Sequence, residues 1–410
     1  MEQVVAPENA QAALKAVIRN RGAAGIDGMT TQQLETHWSK HGETIRAKLL
    51  AGTYRPNPVR GIEIPKPDGG KRKLGIPTVM DRMVQQMLLQ VLQPIFDPTF
   101  SANSHGFRPG RNAHDAVRYA QACVEAGEDW VVDIDITQFF DRVNHDILIN
   151  RIGKTIRDKR VLRLIGQCLR AGVMMDGVAT TSEEGTPQGG PVSPLLANIY
   201  LDALDRELEK RGLAFCRYAD DANIYVGSER AAQRVFSSMS AWIGKHLRLE
   251  VNAQKSGIGR PWERKFLGFC INRRNQIEVS PQSLERFKDR VRELWRSNQS
   301  LSSEELRDNW SEYVKGWWQY YRLNETRHKL SEIEVWLRRH IRKCFWLRWH
   351  NAKGRLNALR RLGVKKPCQA TAFSPKGAWY IANSSTMRIA LSNQVLRRYG
   401  FWMPSDLSAK

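Results

Sequence analysis

Two segments constrain this chain more than any others: "DWVVDIDITQFF" at 129–140 and "FCRYADDANIYV" at 215–226. Both are rich in β-branched and aromatic residues, yet both carry aspartates, which strands disfavour. In the first, Val132, Ile134 and Ile136 fall on one face and Asp133 and Asp135 on the other, the period of a half-buried strand. In the second, Asp220 and Asp221 are neighbours where a strand–turn–strand hairpin is expected. A turn tolerates Asp well, so a polar hairpin tip accounts for the pair taken alone. Adjacent carboxylates nevertheless repel unless something positive lies near them. Three carboxylates, one on a strand face and two on a hairpin tip, offer a second account: together they can hold two divalent cations. Mg²⁺ prefers oxygen ligands and shares them with phosphates. Two such ions about 3.5–4 Å apart serve an in-line phosphoryl displacement.

At 410 residues the chain exceeds one ordinary core, so two to four subdomains are expected. Lys and Arg number 64 against 42 Asp and Glu, a net charge of +22 that fits a polyanionic partner, above all nucleic acid. A basic enzyme with no such partner is the plainer alternative. The six cysteines are widely spaced with no C-x-x-C pair, which suggests neither a zinc ribbon nor a disulfide framework and fits a reducing cytosol. "MEQVVAPENAQ" lacks the features of a secretory signal, and no apolar run approaches a membrane span. A soluble, cytoplasmic protein is expected.

Spacing predicts helices over 8–20 and 31–50, two strands joined by a basic Gly-rich turn in "IEIPKPDGGKRKLGIP", and a helix after Pro77. "SHGFRPGRNAHDAV" reads as a basic loop entering a helix, and Asn144 as the N-cap of "HDILINRIG". "EEGTPQGGPVSP" is a loop, "LLANIYLDALDRELEKRG" a helix and "KFLGFCINRR" one more strand. Beyond Pro281 helices dominate, and nine of the thirteen tryptophans lie there. Residues 335–405 contain fifteen Lys and Arg and no Asp or Glu. On a helical wheel Ile333, Trp336, Leu337, Ile341, Cys344, Phe345 and Leu347 share one face, with Arg348 breaking the pattern. Arg338, Arg339, Arg342 and Lys343 share the opposite face, from which they are expected to meet RNA phosphates.

The chain resembles the reverse transcriptases encoded by mobile group II introns, which double as splicing maturases. The resemblance runs in order through "GIDGM", "IPKPDGGKRKLGIPTVMDRMVQ", "HGFRPGRNAHDAV", "DIDITQFFDRVNH", "GTPQGGPVSPLLANIYLDALD", "RYADD", "LEVNAQKS" and "FLGF". It implies an α/β (α+β) right-hand polymerase. Its expected parts are an N-terminal extension and fingers at 1–125, a palm at 126–280, a helical thumb or maturase domain at 281–370 and a basic C-terminal segment at 371–410. The family's metal-binding carboxylates match Asp135, Asp220 and Asp221, with Mg²⁺ as the ion and Mn²⁺ as a substitute. Asp133 competes for the first place. Asp135 is preferred because Phe140 lies five residues on, where these enzymes put the aromatic that excludes a ribose 2′-hydroxyl.

Lys66 and Arg72 match residues that hold the incoming triphosphate, although Lys71 and Lys73 are close enough to share that role. Gln188 and Gly189 match the pair beside the nucleotide, Lys255 a lysine near the pyrophosphate, and Leu267, Gly268 and Phe269 the primer grip. The implied activity is RNA-directed DNA synthesis from dNTPs on a DNA primer, together with binding of the parent intron RNA in splicing and retromobility. The endonuclease that ends many relatives is not expected, because Cys368 stands alone and no histidine follows 350. Two alternatives stay open: a domesticated or defence-associated relative with no intron partner, and a non-enzymatic RNA-binding splicing factor.

Overall fold

Local signals set the elements of the first unit, Met1–Arg260. α1 (Pro7–Asn20) opens on a proline, whose missing N–H is no loss in a first turn, and α2 spans Leu34–Leu50. β1 (Val59–Pro65) and β2 (Lys71–Ile76) form an antiparallel hairpin, with Arg60 opposite Ile76 and Pro65 opposite Lys71. α3 (Val79–Phe96) is capped by Thr78, whose Oγ1 accepts from Asp81 N–H. α4 (Ala113–Glu125) starts at a reciprocal box of Asn112 and Asp115. β3 (Trp130–Ile134) leads to α5 (His145–Thr155), N-capped by Asn144, then α6 (Lys159–Leu169). β4 (Val173–Met175), β5 (Val178–Thr180), α7 (Ser193–Lys210), β6 (Ala214–Tyr218), β7 (Asp221–Val226), α8 (Glu229–Leu247) and β8 (Gly257–Gly259) follow. The computed structural model describes the whole chain except residues 66–69, 176–177, 181–183, 186–188, 297–299, 366–367 and 408–410, and only the backbone of 72, 73, 175 and 178–180.

One four-stranded sheet runs β2-β1-β4-β5, with β1 and β4 parallel. The other, β6-β7-β3-β8, is antiparallel throughout. Its inner face carries Val132, Ile134, Phe215 and Ile224, all fully buried. They join one apolar cluster with Leu195, Leu204 and Leu208 of α7 and with Val235, Met239 and Ile243 of α8, the last three recurring at helical spacing. α4 packs on the other face of β6, where Cys216 Sγ donates to Ala116 O at 3.4 Å. A buried polar knot ties the base of the β1–β2 hairpin to α3. Asp81 accepts from Tyr54 Oη (2.7 Å), Thr78 Oγ1 (2.6 Å) and the Asn57 N–H (3.1 Å).

The second unit is Pro261–Lys410. It opens with a short hairpin, β9 (Phe269–Ile271) and β10 (Ile277–Val279). The expectation of a full strand through "KFLGFCINRR" is corrected: Leu267 and Gly268 have φ of 52° and 82°, so the chain turns there and only three residues pair. Helices α9 (Pro281–Leu294), α10 (Ser303–Tyr321), α11 (Arg327–Arg348) and α12 (Ala352–Arg361) follow. Five short helices close the chain: α13 (Cys368–Ala372), α14 (Ala378–Ile381), α15 (Ser385–Ala390), α16 (Asn393–Arg398) and α17 (Pro404–Leu407). Trp310, Leu337, Ile341 and Trp346 form its core with Phe287. The hairpin belongs here because Glu325 N–H bonds Ile277 O and Ile277 N–H bonds the Glu325 carboxylate. Among the described residues no helix is long and apolar enough to cross a membrane.

Candidate active site

The β3–β7 register pairs Asp133 with Asn223 and Ile134 with Ala222. The β3–β7 ladder ends there, so Asp135 follows the last paired residue of β3 and Asp221 precedes the last paired residue of β7. Along β7 Asp221 alternates with Ala222 and Ile224, which lie in the apolar cluster, and so falls on the opposite face. Asp220 lies in the turn between β6 and β7, which pair as far as Tyr218 and Asp221. Asp135 is fixed through its backbone. Its N–H donates to Ser256 Oγ at 2.8 Å, and its carbonyl accepts from Asn252 N–H at 2.9 Å and Ser256 Oγ at 3.1 Å. Lys255 is exposed in this same 252–256 turn.

Among the described residues no three His, Cys, Asp or Glu side chains form a closed ligand set. An oxygen-only donor set at one end of a sheet suits a hard divalent ion.

Behind the turn, on the core face of β6, sits Arg217. It is fully buried and bidentate to the equally buried Asp205 of α7, at 2.7 and 2.6 Å. Its Nη2 also reaches Ser104 Oγ (2.8 Å), and its Nη1 reaches Asn198 Oδ1 (3.0 Å) and Ala219 O (2.8 Å). Sequence reasoning passed over this group, although two signals were present. Arg217 shares the period-2 face of Phe215, and Asp205 interrupts the apolar stripe of α7 beside Leu201, Leu204 and Leu208. Nearby His105 is buried, and burial, with Arg111 adding to it, pushes its imidazole down to about 4, so the ring is neutral near pH 7.

Phe140 is half-buried, edge-on to Phe139 at 5.2 Å. The loop before α7 presses on it from behind. A Cβ on Gly185 would come within 2.9 Å of the carbonyl oxygens of Phe140 and Asp141. His145 Nε2 donates to Gly185 O at 2.6 Å, and Gly185 N–H to Val143 O at 2.9 Å. Phe140 and Gly189 line a cavity of about 680 Å³ with Val17, Asn20, Arg82 and Phe107. Burial lowers the Arg82 pKa, opposed by the charge of Asp27, and its Nη2 donates to Ala23 O. A Cβ on Gly189, whose φ is 128°, would meet Gly75 O at 2.7 Å, so glycine alone allows that approach. Lys66 and Gln188 lie outside the described residues, as does the side chain of Arg72. Lys71 is ion-paired with Glu63 at 2.6 Å.

In the second unit, Leu267 O accepts from Tyr320 Oη at 2.9 Å, and a Cβ on Gly268 would meet Tyr321 Oη at 2.8 Å. Phe269 is buried between the two tyrosine rings, at 5.7 and 5.2 Å. The expected open cationic face of α11 is corrected. Arg342 is only 7% exposed and donates to Leu391 O, and Arg339 donates to Trp379 O with its guanidinium 4.1 Å over that indole. Arg338 pairs with the buried Glu334 at 3.4 Å, and Lys343 is half-buried. The short C-terminal helices fold back over part of this face, through Trp379 and Leu391, which is why Arg342 is buried and its neighbours are half-buried. Burial pulls the Arg342 guanidinium down to about 10, with Arg338 and Arg388 adding to the shift.

Comparison with known proteins accords with this architecture. The family described as "Reverse transcriptase (RNA-dependent DNA polymerase)" matches residues 64–271, and the "Group II intron, maturase-specific domain" matches residues 284–363. Protein YkfC of Escherichia coli (strain K12) is 31% identical over 295 residues, covering 62% of this chain and 77% of that protein. The group II intron-encoded protein LtrA of Lactococcus lactis subsp. cremoris is 37% identical over 199 residues, 48% of this chain but only 33% of that longer protein. An uncharacterized 91 kDa protein in the cob intron of Schizosaccharomyces pombe is 43% identical over 184 residues, 45% of this chain and 22% of that one. The chain therefore belongs to the reverse transcriptase family, in the branch that carries a group II intron maturase-specific domain.

Proposed function

We propose that the chain copies RNA into DNA by adding dNTPs to a primer, and that it also binds its parent intron RNA to promote splicing and retromobility. The observation that supports the catalytic part is the β3–β7 register, which runs to Ile134 opposite Ala222 and so leaves Asp135 and Asp221 each one residue from its last pair, next to the turn bearing Asp220. These carboxylates are the proposed holders of two Mg²⁺ ions. When bound, such ions supply the charge neutralisation that in-line displacement at a triphosphate needs. The remaining work falls to the chain. The 252–256 turn fixes the Asp135 backbone, Gly189 lets the backbone of β2 at Gly75 pack close beside the proposed nucleotide site, and Phe140 is the proposed barrier to a ribose 2′-hydroxyl. Lys255 is the exposed cation of that turn and the proposed partner of the departing pyrophosphate. Lys66, Arg72 and Gln188 are the proposed remaining contacts to the nucleotide.

Leu267, Gly268 and Phe269 form the proposed primer grip, and the two tyrosines hold that turn rigid. A net charge of +22 supports a phosphate-rich partner for both activities. Among the four cations read from α11, Lys343, whose ammonium lies 6.0 Å from the Trp379 ring centroid, is the proposed RNA contact, and Arg338, Arg339 and Arg342 shape the surface around it. All six cysteines are unpaired and buried, which suits a reducing cytosol.

Primer extension on an RNA template, with Mg²⁺ and dNTPs, tests the first part. Wild type should extend the primer and Asp220→Ala should not; equal synthesis by both would remove the assignment. Binding of the flanking intron RNA, measured against salt, tests the second, and an affinity no greater than for unrelated RNA would reject it.

A further inference from the structure

The turn carrying Asp220 and Asp221 is held in a conformation its sequence does not favour. Of its two central residues only Ala219 has a positive φ, 59°, a place where a two-residue hairpin of this kind takes glycine. Side chains at such φ persist only where the surroundings over-determine them. Here they do. A guanidinium has five N–H donors, and Arg217 gives all five to protein acceptors: two to Asp205, one to Ser104, one to Asn198 and one to the Ala219 carbonyl. Its backbone is pinned as well, by bonds to Asn103 O and from His105 N–H, both at 2.9 Å. Asn198 works in two directions, since its Nδ2 donates to Gly106 O at 2.9 Å. Gly106 in turn lies so close to the turn that a Cβ on it would be 2.3 Å from Ala219 N.

Stability alone does not explain such a group. A buried ion pair is often replaceable by apolar side chains without loss, because its attraction barely covers the desolvation of both charges. What an apolar replacement could not do is grip the turn carbonyl. We infer that Asp205, Asn198 and Arg217 are positioning residues: they clamp Ala219 in its left-handed conformation and so aim Asp220 and Asp221 for cation binding. The inference rests on reading Asp135, Asp220 and Asp221 as the cation ligands.

The test uses the full chain without nucleic acid, reading Mn²⁺ affinity from water-proton relaxation, alongside kcat and KM for single-nucleotide addition. Asn198→Ala and Arg217→Lys should each weaken Mn²⁺ binding about tenfold or more, as loss of an outer-shell partner does. kcat should fall and KM for the nucleotide should change little. Glycine needs no clamp at positive φ, so Ala219→Gly introduced into Asn198→Ala should recover most of the lost Mn²⁺ affinity. A merely structural role would not be repaired that way. Should Arg217→Lys fail to fold, the Asn198→Ala series decides alone. Wild-type Mn²⁺ affinity in Asn198→Ala, or no recovery with Ala219→Gly, overturns the clamp. Wild-type affinity in Asp220→Ala instead overturns the ligand assignment beneath it.

Discussion

Gly185→Ala separates two costs that are usually confounded. Gly185 has a φ of 91°, and its added Cβ would lie 2.9 Å from Phe140 O and 2.9 Å from Asp141 O. Both neighbours are backbone atoms, so no side chain can swing aside and the 139–143 segment itself has to move. Gly127 is the matched control, with a φ of 97° and nothing within 4 Å of its built Cβ. Gly127→Ala should therefore show the conformational cost alone, about 1–2 kcal/mol. Gly185→Ala adds the overpacking cost of one extra carbon, about 1–3 kcal/mol, for a total of about 2–5 kcal/mol.

In a unit of this size each kcal/mol moves Tm by about 2–4 °C, so calorimetry should place Gly185→Ala several degrees below Gly127→Ala. The displaced backbone carries Phe140, so on the role proposed for that ring sugar selectivity should change in parallel. If the shift removes 1.4 kcal/mol of discrimination, the ratio of kcat/KM for dNTP over rNTP falls about tenfold, while Gly127→Ala keeps the wild-type ratio. Coincident melting of the two alanine variants, with unchanged sugar selectivity in both, would refute the claim that this loop sets Phe140.

Tyr54→Phe removes the bond to Asp81 and leaves a buried carboxylate with one partner fewer; urea unfolding of the first unit should show a loss of about 1–3 kcal/mol, and an unchanged midpoint would count against the knot. Trp310→Ala empties a fully buried site whose Nε1 donates to Trp402 O at 2.8 Å, so denaturant unfolding of the second unit should show a loss of about 3–5 kcal/mol, and an unchanged midpoint would count against that core. His340 lies between Trp336 and Trp379, at 4.2 and 4.8 Å, and burial, then Lys343, Arg292 and Arg339, push its imidazole down from 6.5 to about 4. Between those values the unfolded chain binds the proton and the folded one does not, so stability present above pH 6.5 is lost as pH falls toward 4. Tryptophan-monitored unfolding of His340→Phe should flatten that acid limb, and an unaltered pH profile would show that His340 does not set it.

Much of the first unit was legible because its signals are local. Alternation marked β3, spacing marked α3 and α7, and Asn144 caps α5 through a bond to Ile147 N–H at 3.0 Å. The spacing of "YADD" and "DID" placed the three aspartates on segments that the ladder then sets side by side. What stayed hidden was long-range pairing. Arg217 and Asp205 each looked like a blemish in an apolar pattern, and nothing in the sequence says that two blemishes meet. The cationic face of α11 was misjudged for a related reason. Helices of four to six residues, such as α14 to α17, are too short to display a period, so the segment that covers Arg342 gave no sign of being a lid. The turn at Leu267–Gly268 was read as strand because its flanking residues, Phe266 and Phe269, are good strand formers.

The hairpin of β9 and β10 has a consequence for anyone dissecting the chain. The match to the reverse transcriptase family ends at residue 271, the last residue of β9, whereas the division between the two compact units lies at Arg260 and Pro261. A fragment cut where that match ends would carry an orphaned strand, stripped of its ladder partner and with Phe269 torn from the tyrosines that shelter it. Evolutionary module and mechanical module are thus out of phase here by about ten residues, and only the second is a sound place to cut.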